Sequence, residues 1–406
     1  MSRRPPNVLA ITMTVFLDIL SFGLFIPDLQ LRGEKLVNRL ALPEGSMTIG
    51  LIIGLTLALF SIAQLLTSPI LGRMSDRIGR RKILLVTTSM AVLAGLAYTQ
   101  ADSLWILAGA RVLMGFAAGN ISVAYAYISD VTKPEDRAAA MGKLGIAFGL
   151  GFILGPPVGG YLIGLGGESP VLLGLAAAAM ALVNFAYVFR FLPESLKLPR
   201  DAPSADRIGM AESLRTALRL PGLGYLLILF FAVNFAMSNM ESTYFRMAHD
   251  VFDLSEFHTA LILTEVGVVM AIVQGGFIRP LVAKFGETAL VRVGYFLMAP
   301  ALALMPWAPP WTWALCVAGL LAVGSGLSSP SLSSLISRAA PAAIVGGVFG
   351  LTQALGALAR IAGPLIGNSL YQRSPWIPYA LAGALMLVPI VMALRVRQPV
   401  DRAREA

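Results

Sequence analysis

Charge is scarce in this 406-residue chain. Asp, Glu, Lys and Arg together make up 13% of it, against about 25% in an average soluble protein. Cysteine is nearly absent: Cys316 stands alone, so no disulfide can form within the chain. Histidine is as rare, with only His249 and His258. That leaves nothing to build a histidine-rich metal centre, and no cluster of base, nucleophile and metal ligands of the kind an enzyme needs. No G-x-x-x-x-G-K-[ST] stretch occurs, which argues against ATP as a direct energy source. No metal and no cofactor are expected.

What the chain has instead is apolar length. Hydrophobic residues are 57% of it, and they fall into runs of about 20, the length that crosses a bilayer. Twelve spans are expected, at 7–29, 47–71, 83–101, 104–128, 140–164, 170–191, 222–246, 257–279, 289–307, 311–335, 344–370 and 376–395. The fold class is therefore all-α integral membrane. An even number of spans puts both termini on one side. The cations mark that side as the cytoplasm, because cationic loops resist translocation. Arg3, Arg4, the 73–82 cluster, the 190–219 cations, Arg338 and the cations after 394 all fall on it. Arg32, Lys35, Arg39, Arg246 and Arg373 fall outside, and Arg111 and Arg360 within spans. The net charge of +9 is thus topological, and no nucleic-acid partner is expected. The N-terminal segment reads as a retained first span, too long for a signal peptide.

The longest hydrophilic stretch, 193–221, carries four prolines and mixed charge. It reads as a cytoplasmic linker, with a short surface helix at 209–220, between six-span bundles at 1–192 and 222–406. The halves echo each other. Arg77-Ile78-Gly79-Arg80 matches Lys284-Phe285-Gly286-Glu287, 207 residues on, and Gly155-Pro156-x-x-Gly159 matches Gly363-Pro364-x-x-Gly367, 208 residues on. A six-span duplication holds its substrate between the halves near the middle of the membrane. Such a design works without a partner copy, so a monomer in contact with lipid is expected.

Several residues could carry chemistry. Asp18 lies about 16 Å into a hydrocarbon core of about 30 Å. A carboxyl at that depth must face a cavity or a partner, and it suits a proton carrier. Arg111 is the natural partner in the same half; it cannot practically deprotonate, but it can tune a carboxylate or hold an anionic substrate. Glu241 is the second acidic candidate, as a proton site or a contact for a cationic substrate, and Glu265 is similar. Asn120, Asn184, Asn234, Asn239, Gln274 and Gln353 are polar groups within spans that could line the cavity, and Arg360 could pair with Glu241 or Glu265. Gly151, Gly155 and Gly159 repeat every four residues and expose a smooth helical face. With Pro156 bending the helix, and with Gly363 and Pro364 repeating the pattern, this reads as a sliding or hinge contact between the halves. The charged stretch at 72–82 holds five cations and Asp76, and two glycines, Gly72 and Gly79, bracket the Asp and allow a tight reversal. It is either a topology signal alone or a gating latch.

Together these residues resemble the major facilitator superfamily, and within it the twelve-span drug:proton antiporters with their tetracycline-efflux branch. Residues 72–82 are similar to the family's loop motif G-x-[LM]-[AS]-D-R-x-G-R-[RK]. Leu107 to Gly119, with Arg111, resembles the span 4 motif. Gly151 to Gly160 resembles the span 5 motif of antiporters, and Phe16-Leu17-Asp18 with Gly23-Leu24-Phe25-Ile26-Pro27 the span 1 pattern. The resemblance covers essentially the whole chain and implies two pseudo-symmetric six-helix bundles. It also implies a coupling role for Arg111, a latch from Asp76 to the start of span 11 that includes Arg80, and a pairing of Asp130 with cations of the loop such as Arg77. Ala283 stands where the second copy would have Asp76, so a weaker latch is expected there. The implied function is export of a small amphipathic compound or drug in exchange for protons, by rocking of the halves in the plasma membrane. The alternative is a transporter of one metabolite, such as a sugar or an organic anion.

Overall fold

The computed structural model describes residues 8–40, 42–43, 46–132, 137–167, 169–195, 222–307, 311–340 and 345–395. Most of the expected linker, with its short helix, lies outside the described residues. Among the described residues the chain is helical, with no strand. Ten stretches are long and apolar enough to cross a membrane, and they fall on the first ten expected spans. Helices Val345–Tyr371 and Ile377–Arg395 occupy the last two.

The helices are α1 (Val8–Gly23), α2 (Ile26–Asn38), α3 (Met47–Ile78), α4 (Arg80–Tyr98), α5 (Leu104–Ala118), α6 (Asn120–Val131), α7 (Arg137–Gly166) and α8 (Val171–Phe191). They continue as α9 (Leu223–Glu241), α10 (Tyr244–Phe252), α11 (Glu256–Ile272), a π-helical turn (Val273–Phe277), α12 (Ile278–Phe285) and α13 (Glu287–Leu304). The last three are α14 (Trp311–Ala339), α15 (Val345–Tyr371) and α16 (Ile377–Arg395).

Three expected spans are broken helices. The first turns at Leu24 and Phe25 and goes on as α2, so the loop expected from residue 30 is helical as far as Asn38. Pro27 sits in the first turn of α2, where its missing N–H breaks the ladder back to Gly23 without loss. The fourth breaks at Gly119. The seventh breaks at Ser242 and Thr243, whose hydroxyls donate back to the Asn239 carbonyl at 2.9 and 3.3 Å, competing with the helical bonds there.

Two compact units form: Met1–Pro203 with Phe245–Gly267, and Ser204–Tyr244 with Val268–Ala406. In the first, one apolar cluster gathers around Ile11, Val15, Tyr127 and Val188, and another around Phe25, Ile53, Tyr98 and Leu107. Helices in lipid gain little from apolarity alone, so small residues that let backbones approach carry much of the packing. A Cβ on Gly155 would lie 2.6 Å from Gly23 Cα, and one on Gly151 2.6 Å from the Ile19 side chain. The Gly151, Gly155 and Gly159 face of α7 therefore seats on α1 in the same unit, and α7 runs unbroken through Pro156. The expected contact between halves is instead a contact within one. The second unit repeats it: a Cβ on Gly363 of α15 would lie 2.8 Å from the Asn239 amide of α9. Gly155→Val forces α1 and α7 apart. It should destabilise the fold by about 1–3 kcal/mol, read as a lower thermal unfolding midpoint, whereas Gly145→Ala, with open space at its Cβ, should be silent.

Candidate functional site

Asp18 is partly buried on α1. One carboxylate oxygen accepts from Asn184 Nδ2 of α8 at 2.7 Å, and the other accepts from Asn120 Nδ2. Asn120 is the first residue of α6, placed there by the break at Gly119. Both amides are buried, at 3% and 0% exposure, so solvent competes little for them. Asn184 is held further by donating to the Thr14 carbonyl at 3.0 Å. The carboxyl thus sits between two neutral donors.

Two further acids of the first unit, Asp28 and Glu34, are ion-paired. Asp28 accepts from Arg32 at 2.5 and 3.1 Å and from the Tyr98 hydroxyl at 2.6 Å. Glu34 accepts two bonds from Arg246, one of them at 2.6 Å. Gln30 Oε1 accepts from the Phe245 amide at 3.1 Å. Arg32 and Arg246, expected in outer loops, are thus 7% and 3% exposed and buried against carboxylates. The i, i+4 spacing of Asp28 and Arg32 is a legible signal. The spacing of Glu34 and Arg246 carries none.

Arg111 does not reach Asp18. Its Nη2 donates to the Leu57 carbonyl at 2.5 Å and its guanidinium lies over the Phe60 ring at 4.9 Å. Its Nε and Nη1 are buried without a hydrogen-bond partner among the described residues.

The charged stretch is mostly helix rather than loop. α3 runs through Asp76 to Ile78, and the reversal is Gly79 alone, at φ 109°. A side chain there would also meet the Glu194 carboxylate. Glu194, unremarked in the sequence, accepts from the Arg80 and Arg81 amides at 2.8 and 3.2 Å, capping the positive end of α4. Arg80, and not Arg77, organises the cluster. It is buried and donates to Asp76 at 2.6 Å, to Asp130 at 3.0 Å and to Ser75 Oγ at 2.6 Å. Ser195 adds a bond to Asp130 at 2.9 Å. Arg77 is exposed, and Gly72 lies within α3.

The second copy keeps the geometry and swaps the charges. Gly286, at φ 78°, makes the same one-residue reversal. Where Arg80 and Asp130 stand in the first unit, Glu287 and Arg338 stand 207 and 208 residues on. They pair at 3.4 Å, and Ser334 Oγ donates to Glu287 at 2.5 Å. The weaker copy expected from Ala283 is a reversed ion pair.

Of the remaining candidates, Glu241 is exposed at the last residue of α9, and Arg360 is the charge that acts on it electrostatically. Asn234 donates to its own helix at Phe230. Gln274 is exposed in the π-helical turn, a feature frequent at functional sites. Gln353 is exposed on α15. Pro364 accepts from Asn368 Nδ2 at 3.0 Å. Glu265 Oε2 is buried without a hydrogen-bond partner among the described residues.

Comparison with known proteins gives this arrangement a family. The model described as Major Facilitator Superfamily matches residues 9–364. The chain is 30% identical over 391 residues to the class C tetracycline resistance protein of Escherichia coli, covering 96% of each. It is 29% identical over 375 residues to human major facilitator superfamily domain-containing protein 10, covering 85% of this chain and 79% of that one. Among solved structures it is similar to the human organic anion transporter MFSD10 (TETRAN), with TM-score 0.71 and 26% identity over 96% of this chain and all of that one.

Proposed function

The chain belongs to the Major Facilitator Superfamily, and from that premise we propose that it exports small amphipathic compounds, drugs among them, in exchange for protons. It is a multi-pass membrane transporter, not an enzyme, and it binds small-molecule substrates. The observation that carries the finer reading is the setting of Asp18. An acid paired to arginine leaves an uncompensated buried cation when it takes up a proton. An acid held by two amides only rearranges hydrogen bonds. Asp18 is therefore better suited to proton exchange than the arginine-paired Asp28 and Glu34, with Glu241 and Glu265 as further carriers. Each proton moving inward gains about 2.3 kcal/mol per 100 mV of membrane potential.

In this reading the chain works as a monomer in the cytoplasmic membrane with both termini in the cytoplasm. Two six-helix bundles, 1–192 and 222–406, rock about a central substrate site to which Asn234, Gln274, Gln353 and Arg360 contribute. Asp76, Arg80 and Asp130 form the cytoplasmic latch. The tetracycline resistance relative supports drug export.

A second reading has its own support. The human relative named as an organic anion transporter, together with the two nitrogens of Arg111 that have no hydrogen-bond partner among the described residues, fits transport of an organic anion. Uptake into inverted vesicles separates the two. With an acid lumen, a drug exporter accumulates tetracycline and cationic or neutral dyes, and a protonophore collapses the accumulation. Uptake confined to organic anions would select the second reading. Accumulation indifferent to the protonophore would overturn proton exchange.

A further inference from the structure

The two amides on Asp18 are not equivalent. Asn184 stands in the middle of α8, and its one nitrogen serves two acceptors: one Nδ2 hydrogen goes to the Thr14 carbonyl and one to Asp18. Asn120 is the first residue of α6, next to the break at Gly119, where a helix end can shift without breaking internal hydrogen bonds. Asn184 Oδ1 is fully buried and has no hydrogen-bond partner among the described residues. Buried acceptors are rarely left empty, and this one belongs to the amide that holds the carboxyl.

We infer that Asn120 and Asn184 are positioning residues that read the protonation state of Asp18, with Asn184 Oδ1 the acceptor waiting for the protonated form. The inference rests on the reading of Asp18 as proton carrier. An ionised carboxylate only accepts, and both Nδ2 groups donate to it. A protonated carboxyl carries one O–H and must donate. The proton comes from a hydronium ion: its O–H bond breaks as the carboxyl O–H bond forms, and water is left. A half-turn of the Asn184 amide, which gives up its bond to the Thr14 carbonyl, then brings Oδ1 to face the new O–H. The bond from Asn120 weakens at the same time, because its acceptor has lost its charge. The start of α6 is thereby released from α1, so the proton's arrival reaches the helix break that precedes Asn120.

The surroundings leave this pair in control. α6, α7 and α8 pack on α1. Their charged and titratable groups with described side chains are Tyr125, Tyr127 and Asp130, then Lys143 and Tyr161, then Tyr187 and Arg190. Asp130 is taken by Arg80 and Tyr127 by the Pro193 carbonyl. Among the described residues none of these groups bonds to Asp18.

The test needs no substrate. Dicyclohexylcarbodiimide labels protonated carboxyls in apolar surroundings, and mass spectrometry of the purified full chain reads the adduct on Asp18 across a pH series. Asn120→Leu and Asn184→Leu should each displace the pH of half-labelling by about one unit or more, the scale of one hydrogen bond to a charged group. Asn120→Ser and Asn184→Ser keep a hydroxyl that both donates and accepts, and should return it most of the way. Midpoints equal to wild type in the folded Ser and Leu variants would overturn the inference and leave the amides as packing. Absence of labelling at Asp18 in the wild type at every pH would instead remove the reading of Asp18 itself.

Discussion

Asp18→Asn will reduce pH-gradient-driven uptake into inverted vesicles to background, while substrate exchange without a gradient continues. The substitution keeps the size of the side chain and replaces a group that can exchange a proton with one that cannot. Two neighbouring amides donate to the carboxylate, and an amide at position 18 still offers one of them an oxygen, so the fold should survive. Binding and rocking need no proton in an exchange assay, so the two activities separate. Loss of both would make Asp18 a structural or substrate-binding group. Retention of both would move the proton to Glu241 or Glu265, and the same substitution to Gln at those positions would then carry the loss.

The second large effect is expected at the cytoplasmic end. Arg80→Ala removes the partner of Asp76 and Asp130 and the donor to Ser75. Breaking a buried pair by deleting one side leaves the other charge uncompensated, at about 3–5 kcal/mol. The lower end applies, because Asp76 and Asp130 keep 35% and 23% exposure and water offsets part of the loss. The thermal unfolding midpoint should drop by several degrees. Arg80→Lys should recover little, since one ammonium cannot reproduce a fork of donors. Arg77→Ala, at an exposed position, should change the midpoint negligibly. Equal effects at Arg77 and Arg80 would show that the stretch acts through its total charge and not through this cluster.

How much of this was legible in advance depends on the range of the interaction. Spans are local in sequence, and apolar length placed all twelve. The breaks at Gly119 and at Ser242–Thr243 were missed because one glycine or two hydroxyls scarcely change the hydropathy of a window. Arg32 and Arg246 were assigned to the outer side from the span boundaries; both are buried because Asp28 and Glu34 meet them, and the second pairing joins residues far apart in sequence. The loop motif was recognised, but its shape was not: helix α3 continues through it, so a single glycine makes the turn. The duplication was visible in its glycines and prolines, whose backbone demands repeat unchanged. The charge swap from Arg80 and Asp130 to Glu287 and Arg338 was hidden, because an ion pair works with either sign on either partner. Asp18 was singled out by depth alone. Its setting needed α6 and α8 brought to α1, which only the fold supplies.

The central claim is that substrate and proton move in opposite directions through the same chain. The most direct test traps a pH-sensitive dye in the lumen of inverted vesicles, establishes an acid interior, and adds the compound that the wild type accumulates best. The account predicts that the lumen becomes more alkaline as the compound enters, and that vesicles bearing Asp18→Asn show no such change. Entry of the compound at the wild-type rate with the lumen pH unmoved would contradict it.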